Sequence, residues 1–258
     1  IAKGQRLPLV LVPTTAGTGS EATPISVITC GEVKLAVNSR PLTADWAVLD
    51  PDLTVGLPRG VTAATGIDAI VHAVEAYTSA RLKNPISDAL AREALRLLAA
   101  NLLTACDEPK NIAAREAMLL GAHLAGLAFS NAPVAGVHAL AYPLGGLHHL
   151  PHGVTNALML RHVLHHNAEA ARDQYAELAP IVVPGCFTPA SPVLSTHGPD
   201  AVAQALIFED LECFGIALRE QGTFHGQNVD MRPALGELDC THKQAGSDHS
   251  LTRLRFTR

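Results

Sequence analysis

Two groups of residues in this chain have the side chains and the spacing that a metal site needs. The first is the pair Asp68 and His72, which stand four residues apart in a stretch with helical periodicity. Residues at this spacing leave the same face of a helix one turn apart, so the pair offers one oxygen and one nitrogen to a divalent cation. The pair alone is weak evidence, because the spacing arises often by chance and an ordinary intrahelical hydrogen bond is the more common outcome.

The second group is a concentration of histidine. Seven of the 13 histidines fall within residues 138–166: His138, His148, His149, His152, His162, His165 and His166. His138 and His152 stand in apolar, glycine-rich surroundings, where a histidine is either a hydrogen-bonded core residue or a ligand. With Asp68 and His72 they would complete a shell of imidazole and carboxylate that suits Zn²⁺ or Fe²⁺. The last three histidines are assigned to the end of a helix, where they would stabilise its dipole.

The elements that would position these residues divide the chain into three parts. Residues 1–57 are β-rich, with a buried strand predicted at 7–12 and further strands at 25–30, 34–37 and 46–49. Residues 58–221 have the period of helices, predicted at 62–79, 87–105, 112–129, 134–147, 153–167, 168–178 and 200–220, with a proline-rich loop at 181–199. Residues 222–258 have no sustained period, which predicts an irregular tail. The expected fold is an α/β remnant followed by an all-α helical domain.

Composition excludes several classes of function. Hydrophobic residues make up 48% of the 258 residues and charged residues 17%, which provides for a core and argues against a disordered chain. The net charge is −5 with no run of lysine or arginine, so a nucleic-acid partner is not expected. Apolar runs are broken before the ~18 residues that cross a bilayer, so a membrane is not expected either. The five scattered cysteines lack metal or disulfide spacing and favour the cytoplasm.

Four longer motifs follow one another along the chain. They are Pro-Thr-Thr-Ala-Gly-Thr-Gly-Ser-Glu at 13–21, the stretch 64–69 with 72–77, Phe-Ser-Asn-Ala at 129–132, and the stretch 137–146 with 150–153. Over roughly residues 5–180 the chain resembles the iron-containing (group III) alcohol dehydrogenases, which have the dehydroquinate synthase-like fold. The resemblance implies that the ligands of an Fe²⁺ or Zn²⁺ ion are Asp68, His72, His138 and His152. The fourteen-residue separation of the last two matches the family.

The resemblance also implies a nicotinamide cofactor, NAD or NADP. The residues implied to lie along it are Thr14, Thr15, Thr18 and Ser20, with Lys34 near its ribose and Leu53 beside it. Many family members have a histidine four residues after the third ligand, where it is discussed as a proton relay. In this chain the position is occupied by Tyr142. We predict that Tyr142 is a catalytic residue, together with the four ligands. A tyrosine can hydrogen-bond a ribose or a water, but its proton chemistry at neutral pH differs.

The implied function is metal-dependent, NAD(P)-linked oxidation of a small alcohol or reduction of an aldehyde, with a homo-oligomer as a further expectation. Two alternatives stay open: a non-catalytic fragment that keeps the metal-binding helical domain, and a maleylacetate-type reductase, which works without the metal. The family's Gly-Gly-Gly-Ser loop for the pyrophosphate would lie upstream of residue 7, and the stretch after Gly222 does not resemble the family. The sequence is therefore expected to be a partial chain that lacks the N-terminal half of the nucleotide domain.

Overall fold

A computed structural model describes residues 6–30 and 33–182, in which strands come first and helices follow. The strands are β1 (Val10–Leu11), β2 (Ile25–Cys30), β3 (Val33–Asn38) and β4 (Trp46–Ala47). The helices are α1 (Arg59–Thr78), α2 (Pro85–Asp107), α3 (Ile112–Asn131), α4 (Gly136–His148), α5 (His152–Asn167) and α6 (Arg172–Val182). This order confirms the predicted fold class. The predicted helix at 200–220 and the predicted tail at 222–258 lie outside the described residues.

The strands form two separate pairs. β2 and β3 run antiparallel, with Ile25 opposite Asn38, while β1 and β4 run parallel, with Val10 opposite Trp46. The prediction of a buried strand at 7–12 is wrong, because β1 has two residues and Val10 is 50% exposed. A continuous apolar run becomes buried only where a layer covers each face of its sheet. Within the described ranges, β1 and β4 pair only with each other, and Trp46 is 59% exposed.

The helices α1, α2 and α3 pack against one another and form the core. α2 begins where the sequence supplies a capping box: the side chain of Asn84 accepts from the backbone N–H of Ser87, and the Ser87 hydroxyl accepts from that of Asn84. α6 begins four residues later than predicted and continues through Pro180, so Ile181 and Val182 are helical rather than part of the predicted loop. The rest of that loop lies outside the described residues.

Helix α3 is the one described helix that is long and apolar enough to cross a membrane by length and composition. Its most apolar window has a mean hydropathy of 1.3, although Arg115, Glu116 and His123 interrupt its apolar runs, as the sequence predicts. In the structure 56% of that window is buried, and α3 packs along α1 and α2. Its buried apolar side chains therefore pack in the core formed with α1 and α2.

Close backbone contact brings α5 against α1. A Cβ atom added at Gly153 would lie 2.1 Å from the carbonyl oxygen of Ala64 and 2.6 Å from its carbonyl carbon. No flexible side chain is available there to move aside, so only glycine permits this approach. Because His152 immediately precedes this glycine, the contact sets the distance from His152 to α1.

The loop at 13–21 is held against two helices in the same way. A Cβ atom at Gly17 would lie 2.7 Å from the Thr65 side chain of α1. Gly19 has a positive φ of 56° and packs on Gly126 of α3, whose Cα would lie 2.6 Å from an added Cβ. Thr65 stands three residues before Asp68, so the loop crosses α1 less than one helical turn from the first candidate ligand.

We expect Gly153→Ala to destabilise the fold by about 1–3 kcal/mol, because the new methyl group collides with rigid backbone. The matched control is Gly56→Ala, where an added Cβ meets nothing within 4 Å and the change should stay within about 0.5 kcal/mol. Urea denaturation measures both. Wild-type stability of the Gly153 variant would contradict the close approach of α5 to α1.

Candidate metal centre

Three helices bring four potential metal ligands together. Asp68 and His72 lie on α1, His138 on α4 and His152 at the start of α5, and one ligand atom of each lies within 4.8 Å of all the others. The Asp68 Oδ1 atom is 3.8 Å from His72 Nε2. It is 3.6 Å from the Nε2 atoms of both His138 and His152. The residues that the sequence singled out are therefore neighbours in space.

The geometry and the chemistry of this group fit a divalent metal ion. Tetrahedral ligands with bonds of about 2.1 Å stand about 3.4 Å apart, close to the separations from Asp68 Oδ1. A carboxylate with three imidazoles suits Zn²⁺ or Fe²⁺. Three of the four side chains are buried, whereas the His152 side chain is 31% exposed. The group is therefore open to solvent on the side of His152.

A buried carboxylate orients one of the histidines. Glu75 is 3% exposed, and its Oε2 atom lies 2.6 Å from His138 Nδ1. Its Oε1 atom accepts a hydrogen bond of 2.6 Å from the backbone N–H of Val137. A carboxylate on Nδ1 directs the Nε2 lone pair of a histidine toward a metal, as in many metal sites. The sequence alone does not single out Glu75, although its position three residues after His72 places it on the same face of α1.

The electrostatics of the group favour a deprotonated Asp68 and a neutral His72, the forms that bind a cation, and they hold on His138 a proton that a cation would displace. Burial alone would raise the pKa of Asp68, but the neighbouring histidines outweigh it and lower that pKa to about 2. Burial lowers the pKa of His72 to about 4. Burial would also lower the pKa of His138, yet Asp68 and Glu75 raise it to about 9. Two carboxylates that attract a proton to His138 also create a negative potential that attracts a metal ion.

Aromatic rings pack on both sides of the group. Phe129 of α3 stacks on His72, with ring centroids 4.4 Å apart. Tyr142 stacks on His152, with centroids 5.5 Å apart and planes 8° from parallel. Burial raises the pKa of Tyr142, so its hydroxyl keeps its proton at neutral pH. The structure thus places Tyr142 against the most exposed ligand, while its role in proton transfer stays a prediction.

The residues predicted to contact the cofactor lie in three places. Thr14, Thr18 and Ser20 are exposed and Thr15 is half-buried, all in the loop at 13–21. The Thr18 hydroxyl donates to Ser20 Oγ over 3.1 Å. Leu53 is 46% exposed in the short helical turn Pro51–Thr54, and Lys34 lies in β3. Their contacts with a dinucleotide stay predictions.

A partly buried hydrogen bond ties the end of this loop to the core. Glu21 is 5% exposed, and its Oε1 atom lies 3.0 Å from Nδ1 of His123 on α3. Together with the contact of Gly19 on Gly126, the pair holds the loop on α3. The sequence alone does not single out His123, because Glu21 and His123 lie 102 residues apart and no local pattern links them.

The remaining histidines of the 138–166 segment stand apart from the metal-binding group. In the described part of the chain, His148, His149, His162, His165 and His166 are not members of any cluster that could hold a metal ion. His165 and His166 lie in the last turn of α5, as the sequence predicts. A positive charge in that turn interacts favourably with the helix dipole.

Comparison with known proteins gives consistent matches along the chain. Residues 62–204 match the family described as "Fe-containing alcohol dehydrogenase family, C-terminal", and residues 1–51 match "Iron-containing alcohol dehydrogenase". The chain is 50% identical over 172 residues to long-chain-alcohol dehydrogenase 1 of Geobacillus thermodenitrificans, covering 67% of this chain and 43% of that protein. The chain therefore spans less than half the length of this relative.

Two solved structures share the fold. The crystal structure of a 1,3-propanediol oxidoreductase has a TM-score of 0.76 and 40% identity, and the match covers 86% of this chain and 57% of that one. A sulfoacetaldehyde reductase from Bifidobacterium kashiwanohense in complex with NAD⁺ has a TM-score of 0.70 and 33% identity, with 82% and 53% covered.

We expect Glu75→Gln to weaken metal binding by about 10- to 100-fold, because it removes the negative charge that orients His138. Zn²⁺ affinity is measured by competition with a chromophoric chelator. Glu116→Gln, at an exposed position of α3, is the control and should bind like the wild type. Equal affinities in the two variants would show that Glu75 does not support the site.

Tyr142 provides a separate test of the stacking contact. Tyr142→Phe retains the ring and should keep wild-type metal affinity, whereas Tyr142→Ala should lower it by about 2- to 10-fold. The same chelator competition measures both variants. An equal loss in the two would assign the effect to the hydroxyl instead of the ring.

Proposed function

The chain belongs to the iron-containing alcohol dehydrogenase family, and from this membership we propose that it acts in hydride transfer between a small alcohol or aldehyde and a nicotinamide dinucleotide. The observation that carries the proposal is the group of four ligand atoms within 4.8 Å of one another. The reaction removes a proton from the alcohol oxygen and a hydride from its carbon, so it needs an electrophile beside a hydride acceptor.

The four candidate ligands fit the need for an electrophile. A divalent metal, when bound, acts as a Lewis acid that lowers the pKa of an alcohol and polarises a carbonyl. Asp68 would hold it with a full negative charge, and the three histidines with neutral nitrogens. Glu75 orients His138, and Phe129 and Tyr142 keep the rings of two ligands in place. The exposed side of His152 leaves access for substrate.

The loop at 13–21 fits the need for a hydride acceptor close to the metal ligands. A bound nicotinamide ring accepts or donates the hydride. We place the dinucleotide along Thr14, Thr15, Thr18 and Ser20, with Lys34 near its ribose and Leu53 beside it. Two observations support this placement: the loop crosses α1 at Thr65, close to Asp68, and the structurally similar sulfoacetaldehyde reductase was crystallised with NAD⁺.

The same site favours this proposal over a maleylacetate-type reductase, which works without the metal and has no need of a complete set of one carboxylate and three histidines. A non-catalytic fragment that keeps the metal-binding helical domain would have the same four ligands, so the activity measurement below separates it from the proposal. Small alcohols, diols and aldehydes are the proposed substrates, in keeping with the 1,3-propanediol oxidoreductase match.

Several finer expectations belong to the same proposal. We place the domain boundaries at 1–57, 58–221 and 222–258, and we propose a cytoplasmic protein that forms a homo-oligomer and binds neither nucleic acid nor membrane.

Metal stoichiometry tests the proposal most directly. Protein purified without oxygen and without a histidine tag should contain about one Fe or Zn per chain by elemental analysis. His152→Ala should lose tight metal binding together with aldehyde-dependent oxidation of NADH, while His166→Ala at the end of α5 should lose neither. An equal loss of metal in both variants would refute the site, and a metal-loaded but inactive wild-type chain would refute the activity alone.

A further inference from the structure

The loop at 13–21 runs into a short helical turn, Ser20–Ala22, that packs on α3. In this turn the side chain of Glu21 is 3% exposed, and that of His123 on α3 is 19% exposed. Glu21 Oε1 lies 3.0 Å from His123 Nδ1. A carboxylate only accepts hydrogen bonds, so Nδ1 of His123 is the donor. A side chain at the end of the loop is therefore fixed on a helix that is distant in sequence.

The Glu21 carboxylate depends on this one hydrogen bond. Its other oxygen, Oε2, is buried and has no hydrogen-bond partner among the described residues. A buried carboxylate that loses its partner is strongly disfavoured. The turn that carries Glu21 would then have to move until water reaches the charge. Loss of the His123 nitrogen is therefore expected to displace the turn from α3.

The same helix holds the loop through a backbone contact close by. Gly19 has a φ of 56°, and a Cβ atom added to it would lie 2.6 Å from the Cα atom of Gly126. Gly126 follows His123 by three residues, so the two contacts are neighbours on the surface of α3. Phe129 follows by three more and stacks on the ring of His72. One helix thus supports both the loop and a candidate metal ligand.

The position of Glu21 determines the position of the hydroxyl groups in the loop. Ser20 directly precedes Glu21, and its Oγ atom accepts a hydrogen bond of 3.1 Å from the Thr18 hydroxyl. The backbone N–H of Ser20 donates to that same hydroxyl over 3.2 Å. Both residues belong to the set that we place along the dinucleotide. A loop held in the binding arrangement binds its ligand more tightly than one that must first be ordered.

We propose that His123 is a positioning residue for the nicotinamide dinucleotide, and that its Nδ1–H group holds Glu21, and with it the loop at 13–21, on α3. The inference rests on the proposed function in requiring that this loop binds the dinucleotide. His123 acts through Glu21 and not on the reacting atoms. Because α1, α4 and α5 carry the metal ligands, loss of the hydrogen bond should weaken dinucleotide binding and spare metal binding.

The test compares three histidine substitutions. His123→Leu removes the donor, whereas His123→Asn restores an N–H group on Cγ, where histidine carries Nδ1, and is the rescue variant. His166→Leu makes the same change at an exposed histidine in the last turn of α5 and is the control. NADH affinity is measured by fluorescence titration and Zn²⁺ affinity by competition with a chelator. Amide hydrogen exchange reports the opening of residues 13–22.

His123→Leu should lower NADH affinity by about 5- to 50-fold and speed amide exchange at residues 13–22. Its Zn²⁺ affinity should stay within about threefold of the wild type, and its turnover should show a raised KM for NADH with little change in kcat. His123→Asn should recover most of the NADH affinity. His166→Leu should bind NADH like the wild type.

Wild-type NADH affinity in His123→Leu would overturn the inference and leave the proposed function intact. An equal loss of NADH and Zn²⁺ affinity would also overturn it, because a general structural defect lowers both. If leucine does not fit, His123→Ala removes the donor without added volume and should show the same selective loss. A wild-type chain that binds Zn²⁺ and no NADH would overturn the inference together with the proposed hydride transfer.

Discussion

Burial of two carboxylates in one apolar helix is the constraint on which this structure depends. Asp68 and Glu75 are each 3% exposed on α1, which is surrounded by α2, α3 and α5. A buried charge is tolerated only with partners. α4 supplies His138, which bridges the two carboxylates, and α5 supplies the amide of Asn156. The arrangement of these helices is therefore tied to the stability of the site.

The packing that satisfies those charges also controls the distances on which the chemistry depends. Gly153 lets α5 touch the backbone of α1, and without that contact neither His152 nor Asn156 would reach Asp68. The loop at 13–21 is held on α1 and α3 by two further close contacts and by the hydrogen bond between Glu21 and His123. A cofactor along this loop would lie near the metal ligands because the same helices carry both.

A tyrosine lies at the open side of the metal group. Tyr142 stacks on the His152 ring and keeps its proton at neutral pH. A ring in this position can hold the most exposed ligand in place. Because Tyr142 does not titrate near neutral pH, proton transfer would need another route, such as water.

The sequence by itself determined the ligand types, the pairing of Asp68 with His72 and the bounds of five of the six described helices to within about three residues, because helical periodicity and local spacing act over a few residues. The sequence also singled out His138 and His152, but only the tertiary structure decided how closely they approach Asp68 and that Glu75 contacts His138. The tertiary structure also decided that the apolar run at 7–12 is exposed. Contacts between distant segments depend on how helices pack, and no local pattern of residues encodes that distance.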